Sequence, residues 1–181
     1  MKQILASVLL FLALAYPTYS QSPVPSAAPE VVYEAPKINL LPDSPLYKFR
    51  LVLDRLSLTL SSRPYVKARK YVLLADRELT SALKLLEKGN DSLALHTAFR
   101  GEHYMTLFVN TLKAAAYATG TLDLAVTKLA HDAYSYHQQV IQSMVAKTSG
   151  QTQEELKKIL EFSQRNDYEL TLLEQEYKLT P

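Results

Sequence analysis

The sequence predicts an all-α protein: an up-down antiparallel bundle of four long helices, preceded by an N-terminal helix. Three observations predict this fold. Apolar residues recur at i+3 and i+4 from about residue 46 onward, and no segment keeps the alternating pattern of a strand at length. Glycine is scarce and marks helix ends at Gly89, Gly120 and Gly150. Four helices of similar length with short links predict antiparallel neighbours.

Residues 1–20 have the pattern of a cleavable signal peptide. Lys2 charges the start, an apolar run extends from Ile4 to Ala15, and cleavage is predicted after Ser20, with Ala15 as the alternative. The apolar run is shorter than the ~20 residues that span a bilayer. We therefore expect an extracytoplasmic location (secreted, periplasmic or cell envelope) and no stable membrane anchor once the signal is removed.

Residues 21–41 contain four prolines and no helical period. They are expected to form an extended, mobile linker. Residues 42–181 then form the helical bundle domain, which is long enough to bury a core.

Charge, cysteine content and motifs exclude several classes of function. The net charge is +2 and cysteine is absent. The chain therefore has no basic field for nucleic acid, no disulfide, no thiol chemistry and no lipoprotein attachment. It also lacks Gly-x-Ser-x-Gly, His-Glu-x-x-His and a glycine-rich phosphate loop. We predict no enzyme, no catalytic residue and no cofactor.

The first two helices are predicted from proline and capping residues at their ends and from the helical spacing of their apolar residues. Ser44 is the predicted cap of the first helix and Pro45 its first residue. An apolar stripe is opposite Lys48, Arg50 and Asp54, and the helix should pack across or alongside the bundle. Its members are Leu46, Phe49, Leu53, Leu56 and Leu60. Pro64 ends this helix and begins the second, predicted over residues 64–88.

The later helices are predicted over about residues 92–119, 121–147 and 152–177. Asn90 or Asp91 should cap the third helix. In the fourth, one apolar face consists of Val126, Leu129, Ala133, Tyr136, Val140 and Met144. Gly150 is the predicted stop before the fifth, and Thr152 with Glu155 forms a predicted capping box.

Polar residues interrupt two of these apolar faces. His137 falls within the stripe of the fourth helix, whereas His131 points away from it. Folding back across the turns sets His137 level with several polar residues, including Glu78 of the second helix. We predict a buried polar layer that fixes the register of the bundle. It consists of Glu102, His103, His137, Ser163 and Asp167.

A metal site is the alternative interpretation of this layer, because bundles hold metals with inward His, Glu and Asp side chains. The Glu-x-x-His pair expected on two helices is absent, and the pairs His96/His103 and His131/His137 are spaced seven and six residues apart. We therefore assign no metal ligands. Histidines without a shared role are the remaining alternative.

Several segments resemble a known family. They are "LPDSPLYKFRLVLDRL", "KARKYVLLADRELTSALKLLEKGN", "YHQQVIQSM" and "LKKILEFSQRNDYEL". Together they are similar to an uncharacterised bacterial family of secreted helical domains, a domain of unknown function with an opening Leu-Pro-Gly/Asp-Ser-Pro-x-Tyr motif. The resemblance covers residues 41–173. It implies an exported helical domain with no assigned activity, and it suggests that "LPDSPLY", His137 and the 163–167 patch are family features.

The function expected from these observations is an exported, non-enzymatic helical module that binds an unknown protein partner or acts structurally in the cell envelope. The alternative is an extracytoplasmic metal-binding or sensing bundle. A small-molecule or lipid carrier ranks last, because no level of the bundle shows an excess of inward small residues.

Overall fold

The computed structural model describes residues 33–180. Within that range five helices and two short strands are present. The helices are α1 (Tyr47–Thr59), α2 (Pro64–Glu87), α3 (Asp91–Thr119), α4 (Leu124–Ala146) and α5 (Gly150–Glu176), and the strands are β1 (Thr121–Asp123) and β2 (Lys178–Thr180). The all-α prediction is confirmed. The predicted signal peptide and the linker up to residue 32 lie outside the described residues. None of the helices described is long and apolar enough to cross a membrane.

The four long helices form a closed ring of neighbours. Helix α2 packs on α3, α3 on α5, α5 on α4 and α4 on α2. Cross-helix hydrogen bonds show their directions. Thr106 of α3 bonds Asn166 of α5, and Asp91 near the start of α3 bonds Thr152 near the start of α5. Helices α3 and α5 are therefore parallel, because helix direction alternates along the chain. They are also packing neighbours, as are α2 and α4, so not every neighbouring pair in the ring is antiparallel as expected.

Two of the three predicted glycine stops are confirmed, and the third is wrong. Gly89 and Gly120 follow α2 and α3 with φ of +75° and +73°, a conformation that glycine adopts without a Cβ penalty. Gly150 instead opens α5, after Ser149. The predicted capping box is therefore wrong, because Thr152 lies inside the helix and donates a hydrogen bond to Asp91 (3.2 Å).

A short strand pair, which the sequence did not predict, joins the turn between α3 and α4 (β1) to the segment after α5 (β2). Strands β1 and β2 are parallel, with Leu122 aligned to Leu179. The hydroxyl of Thr180 donates to the carbonyl of Leu122 (3.0 Å). Asp123 then caps α4 by accepting a hydrogen bond from the backbone N–H of Val126 (3.0 Å). This arrangement ties the end of the chain to the start of α4.

The core consists of two apolar clusters separated by polar residues. One contains Ala75, Met105, Tyr134 and Leu170, and the other contains Leu79, Ala98, Ile141 and Leu156. Between them, at one level of the bundle, lie buried polar side chains from all four long helices. They are Asp76, Glu78, Glu102, His137, Ser163 and Asn166.

The segment before α1 differs from the mobile linker expected there. Residues 33–41 form no helix or strand, but they contact the bundle. Ile38 is buried, and its carbonyl accepts a hydrogen bond from Lys84 Nζ (3.2 Å). The chain therefore lies along α2 before α1 begins.

Helix α1 is oriented with its apolar stripe toward solvent. It begins at Tyr47, two residues later than predicted, and Ser44 does not cap it. An amphipathic helix ordinarily packs by its apolar stripe, but α1 contacts the bundle by the opposite side, where Leu58 packs against the core and several polar side chains form hydrogen bonds and ion pairs. Tyr47 bonds Glu78, Asp54 pairs with Arg77, and the Ser57 hydroxyl accepts from Lys70.

Candidate functional site

His137 lies between two carboxylates contributed by two other helices. Its Nδ1 is 2.8 Å from Glu102 Oε1 on α3, and its Nε2 is 3.0 Å from Asp76 Oδ1 on α2. The His137 and Glu102 side chains are fully buried, and that of Asp76 is 6% exposed. We call these three residues the His137 cluster. It joins α2, α3 and α4 at the level that separates the two apolar clusters.

The carboxylates decide the charge of His137. Complete desolvation acts to lower the pKa of His137, but the charge of Glu102 and the hydrogen bonds that the ring donates to both carboxylates outweigh it and raise the pKa to about 9. The imidazole is therefore protonated at neutral pH and donates from both nitrogens. A cation between two anions, all buried, is a strong local constraint because each ion depends on its partners.

Tyr33 extends the cluster to the N-terminal segment. Its hydroxyl donates to Asp76 Oδ2 (2.8 Å), and its ring lies 5.3 Å from that of Tyr136 beside His137. Burial and the charge of Asp76 raise the pKa of Tyr33, so the phenol remains a donor. The carboxylate of Asp76 thus links the start of the described chain to the centre of the bundle.

The structure brings together only part of the predicted layer. Glu102 contacts His137 as expected. Ser163 is buried, but its hydroxyl has no hydrogen-bond partner within residues 33–180. His103 is exposed, because one residue's step around α3 turns it away from the inward Glu102. Asp167 is likewise turned aside and bonds His131, not His137.

Asp76 is the residue that sequence reasoning missed. The turn positions placed Glu78 at this level, and Glu78 is indeed buried but pairs with Arg100 and Tyr47. A usable signal was present, because Asp76 lies four residues after Val72 and three before Leu79. Those two residues define the apolar face of α2.

Glu78 anchors α1 in a second polar cluster. It accepts hydrogen bonds from Arg100 Nε (3.0 Å) on α3 and from the hydroxyl of Tyr47. The Arg100 guanidinium lies over the Tyr47 ring, 5.3 Å from its centroid. Burial and the charge of Glu78 raise the pKa of Tyr47. The first turn of α1 is therefore fixed to the bundle by a buried tyrosine.

His131 forms a more exposed counterpart of the His137 cluster between α4 and α5. Its ring nitrogens lie 2.8 Å from Asp167 and 3.0 Å from Glu174. The bond to Asp167 is the main cause that raises the pKa of His131 to about 9, against partial burial. His131 points away from the apolar stripe, as predicted, and its ring contacts Asp167 and Glu174 of α5.

No group of three or more histidine, aspartate or glutamate side chains in the described part of the chain has the arrangement to hold a metal ion. In the His137 cluster each ring nitrogen carries a proton and donates it to a carboxylate, so neither nitrogen offers a lone pair to a metal. What the cluster can do chemically is hold a proton and two negative charges away from water. Its burial keeps it from any substrate in this conformation.

The apolar side of α1 is a second candidate site, and Val52 (61% exposed) lies on it beside five larger side chains. Leu46, Phe49, Leu53, Leu56 and Leu60 are 49–75% exposed, and they follow one another along one face of the helix. We call these five residues the outer stripe. Contiguous exposed apolar patches of more than a few hundred Å² are uncommon on monomers and mark interaction sites.

The comparisons with known proteins give a family and no activity. The family model described as Domain of unknown function (DUF5667) matches residues 39–176. Searches of curated proteins and of solved structures found no match. The family match confirms the resemblance to a domain of unknown function, and its span contains both the His137 cluster and the outer stripe. The chain therefore belongs to the DUF5667 family.

Proposed function

We propose that this protein is an exported, non-enzymatic helical module of the cell envelope that binds a partner protein through the outer stripe. The observation that supports this function best is the orientation of α1. Five large apolar side chains face water while polar side chains of the same helix face the bundle. Such an orientation costs hydrophobic stabilisation, which a partner would recover by covering the stripe.

The attachment of α1 supports the same proposal, because it presents the stripe in a fixed position. Tyr47 holds the first turn, Arg77 pairs with Asp54 (3.5 Å), and Lys70 Nζ donates to the Ser57 carbonyl (2.9 Å). These contacts extend along the helix, so the surface is ordered before binding. A preorganised surface loses less conformational entropy when it binds.

A site-specific photo-crosslinker in living cells tests the binding. It would replace Phe49 of the outer stripe or, as a control, Tyr117, which is 86% exposed on α3. We expect one defined protein adduct from position 49, abolished by Leu53→Glu with Leu56→Glu, and none from position 117. No adduct from position 49, or the same adducts from both positions, would overturn the proposed binding.

Export is tested by cell fractionation and intact mass. The proposal rests on residues 1–20 of the sequence, and we expect the extracytoplasmic fraction to hold a chain that begins at Gln21, or at Tyr16 for the alternative cleavage. A cytoplasmic chain that retains the whole segment would contradict the proposed location.

A further inference from the structure

We infer that the partner of the outer stripe is an amphipathic α-helix whose apolar face is flanked by acidic residues, docked along α1 as in a coiled coil. This inference rests on the proposed function and names the chemistry of the partner. It draws on the spacing of the stripe, the charges that flank it and the way α1 is attached.

The spacing of the outer stripe is that of a coiled coil. From Leu46 to Leu60 the intervals alternate between three and four residues, which is the a and d pattern of the heptad. At 1.5 Å per residue the stripe is about 21 Å long, enough for two heptads of a partner helix. A stripe with a period of 3.5 residues suits the grooves of another helix.

The charge around the stripe is positive. Within Tyr47–Thr59, all of which the structure describes, Asp54 is the one acidic residue, and it is directed to Arg50 (3.6 Å) and Arg77 (3.5 Å). Lys48 and Arg55 are exposed beside the stripe, and neither forms an ion pair within residues 33–180. An acidic flank on the partner would complement this charge and set its orientation.

Two other occupants fit these observations less well. A second copy of α1 would bring like charges together along the contact, which is unfavourable. An anionic lipid surface would match the charge and the apolar residues, but it requires no period of 3.5 residues.

The test uses the full chain and two synthetic helical peptides of three heptads. Both peptides have leucine at a and d, and they differ only in carrying glutamate or lysine at e and g. Affinity is measured by fluorescence anisotropy at low salt, where flanking charges contribute most. We expect the glutamate peptide to bind at least tenfold more tightly than the lysine peptide.

Variants then locate the binding on the molecule. Leu53→Glu with Leu56→Glu should weaken binding of the glutamate peptide at least tenfold, and these side chains are exposed, so the fold should tolerate the change. Lys48→Ala with Arg55→Ala should reduce the preference for glutamate over lysine. The matched control Tyr117→Glu also adds a negative charge at an exposed site and should change nothing.

The outcomes separate this inference from the proposed function. Equal binding of both peptides, or binding of neither, overturns the acidic-helix partner, while an adduct at position 49 in cells would still support a protein partner. Absence of both the peptide preference and the adduct overturns the two together. If the protein floats with phosphatidylglycerol vesicles in a stripe-dependent way and binds neither peptide, the partner of the outer stripe is a membrane and not a helix. If the protein forms a stripe-dependent dimer in sedimentation, the partner is a second copy of this chain.

Discussion

Replacing His137 with leucine should strongly destabilise the fold. The substitution introduces an apolar side chain of similar size and leaves Glu102 and Asp76 as two buried carboxylates without the cation between them. Removing one partner of a buried ionic group typically costs about 3–5 kcal/mol. The pKa gives a similar figure, because a rise from 6.5 to about 9 corresponds to about 3 kcal/mol at 1.36 kcal/mol per pKa unit.

Urea unfolding at pH 7, followed by far-UV circular dichroism and extrapolated to water, measures this loss. The matched control is His103→Leu, which removes an exposed histidine adjacent to Glu102 on the same helix. The control should change the free energy of unfolding by no more than about 0.5 kcal/mol. If His137→Leu costs less than about 1 kcal/mol, or no more than the control, His137 does not hold the bundle through these ion pairs.

Four further outcomes are expected. The free energy of unfolding should fall as pH rises from about 6.5 to about 9, and it should fall less in His137→Leu. Because the pKa of His137 is higher in the folded state than in the unfolded state, protonated His137 contributes its full stabilisation below the unfolded pKa. That stabilisation is lost as the folded form deprotonates. Tyr33→Phe removes the hydrogen bond to Asp76 and should lower the free energy of unfolding in urea by about 1 kcal/mol. An unchanged free energy of unfolding would show that the Tyr33 hydroxyl does not bond Asp76. Gly101→Ala places a Cβ 3.1 Å from the Ala75 carbonyl oxygen and should cost about 1–3 kcal/mol in the same assay, whereas a neutral result would show that α2 and α3 can separate at this point. The melting temperature should be the same with EDTA as with Zn, Cu or Ni, because both ring nitrogens of His137 are engaged; a metal-dependent rise lost in His137→Leu would revive the metal-sensing alternative.

Much of the candidate site could be predicted because helical period and turn position are local properties. The stripe around His137 shows that the ring faces inward, and the turn at Gly120 brings Glu102 opposite it. Counting residues back from each turn places a residue's level in the bundle only to within about one helical turn. That precision is too coarse to choose among Asp76, Arg77 and Glu78. Only packing decided that Asp76 meets His137 while Glu78 meets Arg100.

The pairing of β1 with β2 was beyond the sequence for a different reason. Three residues are too few to show a strand period, and the partners are far apart in the chain, at Leu122 and Leu179. The cap of α4 was missed with it, since Asp123 is itself the last residue of β1. Both features depend on the C-terminal ends of α3 and α5 lying side by side, which brings β1 and β2 together.

The sequence by itself determined the helices, most of their ends, the inward face of each long helix and the presence of a titratable ring in the core. These features follow from residue type and spacing along a single helix. The tertiary structure decided which acids surround that ring and which side of α1 faces water. Both depend on contacts between helices, since Tyr47, Asp54 and Ser57 bond the bundle and Leu58 packs on its core, which leaves the apolar stripe on the other side of α1.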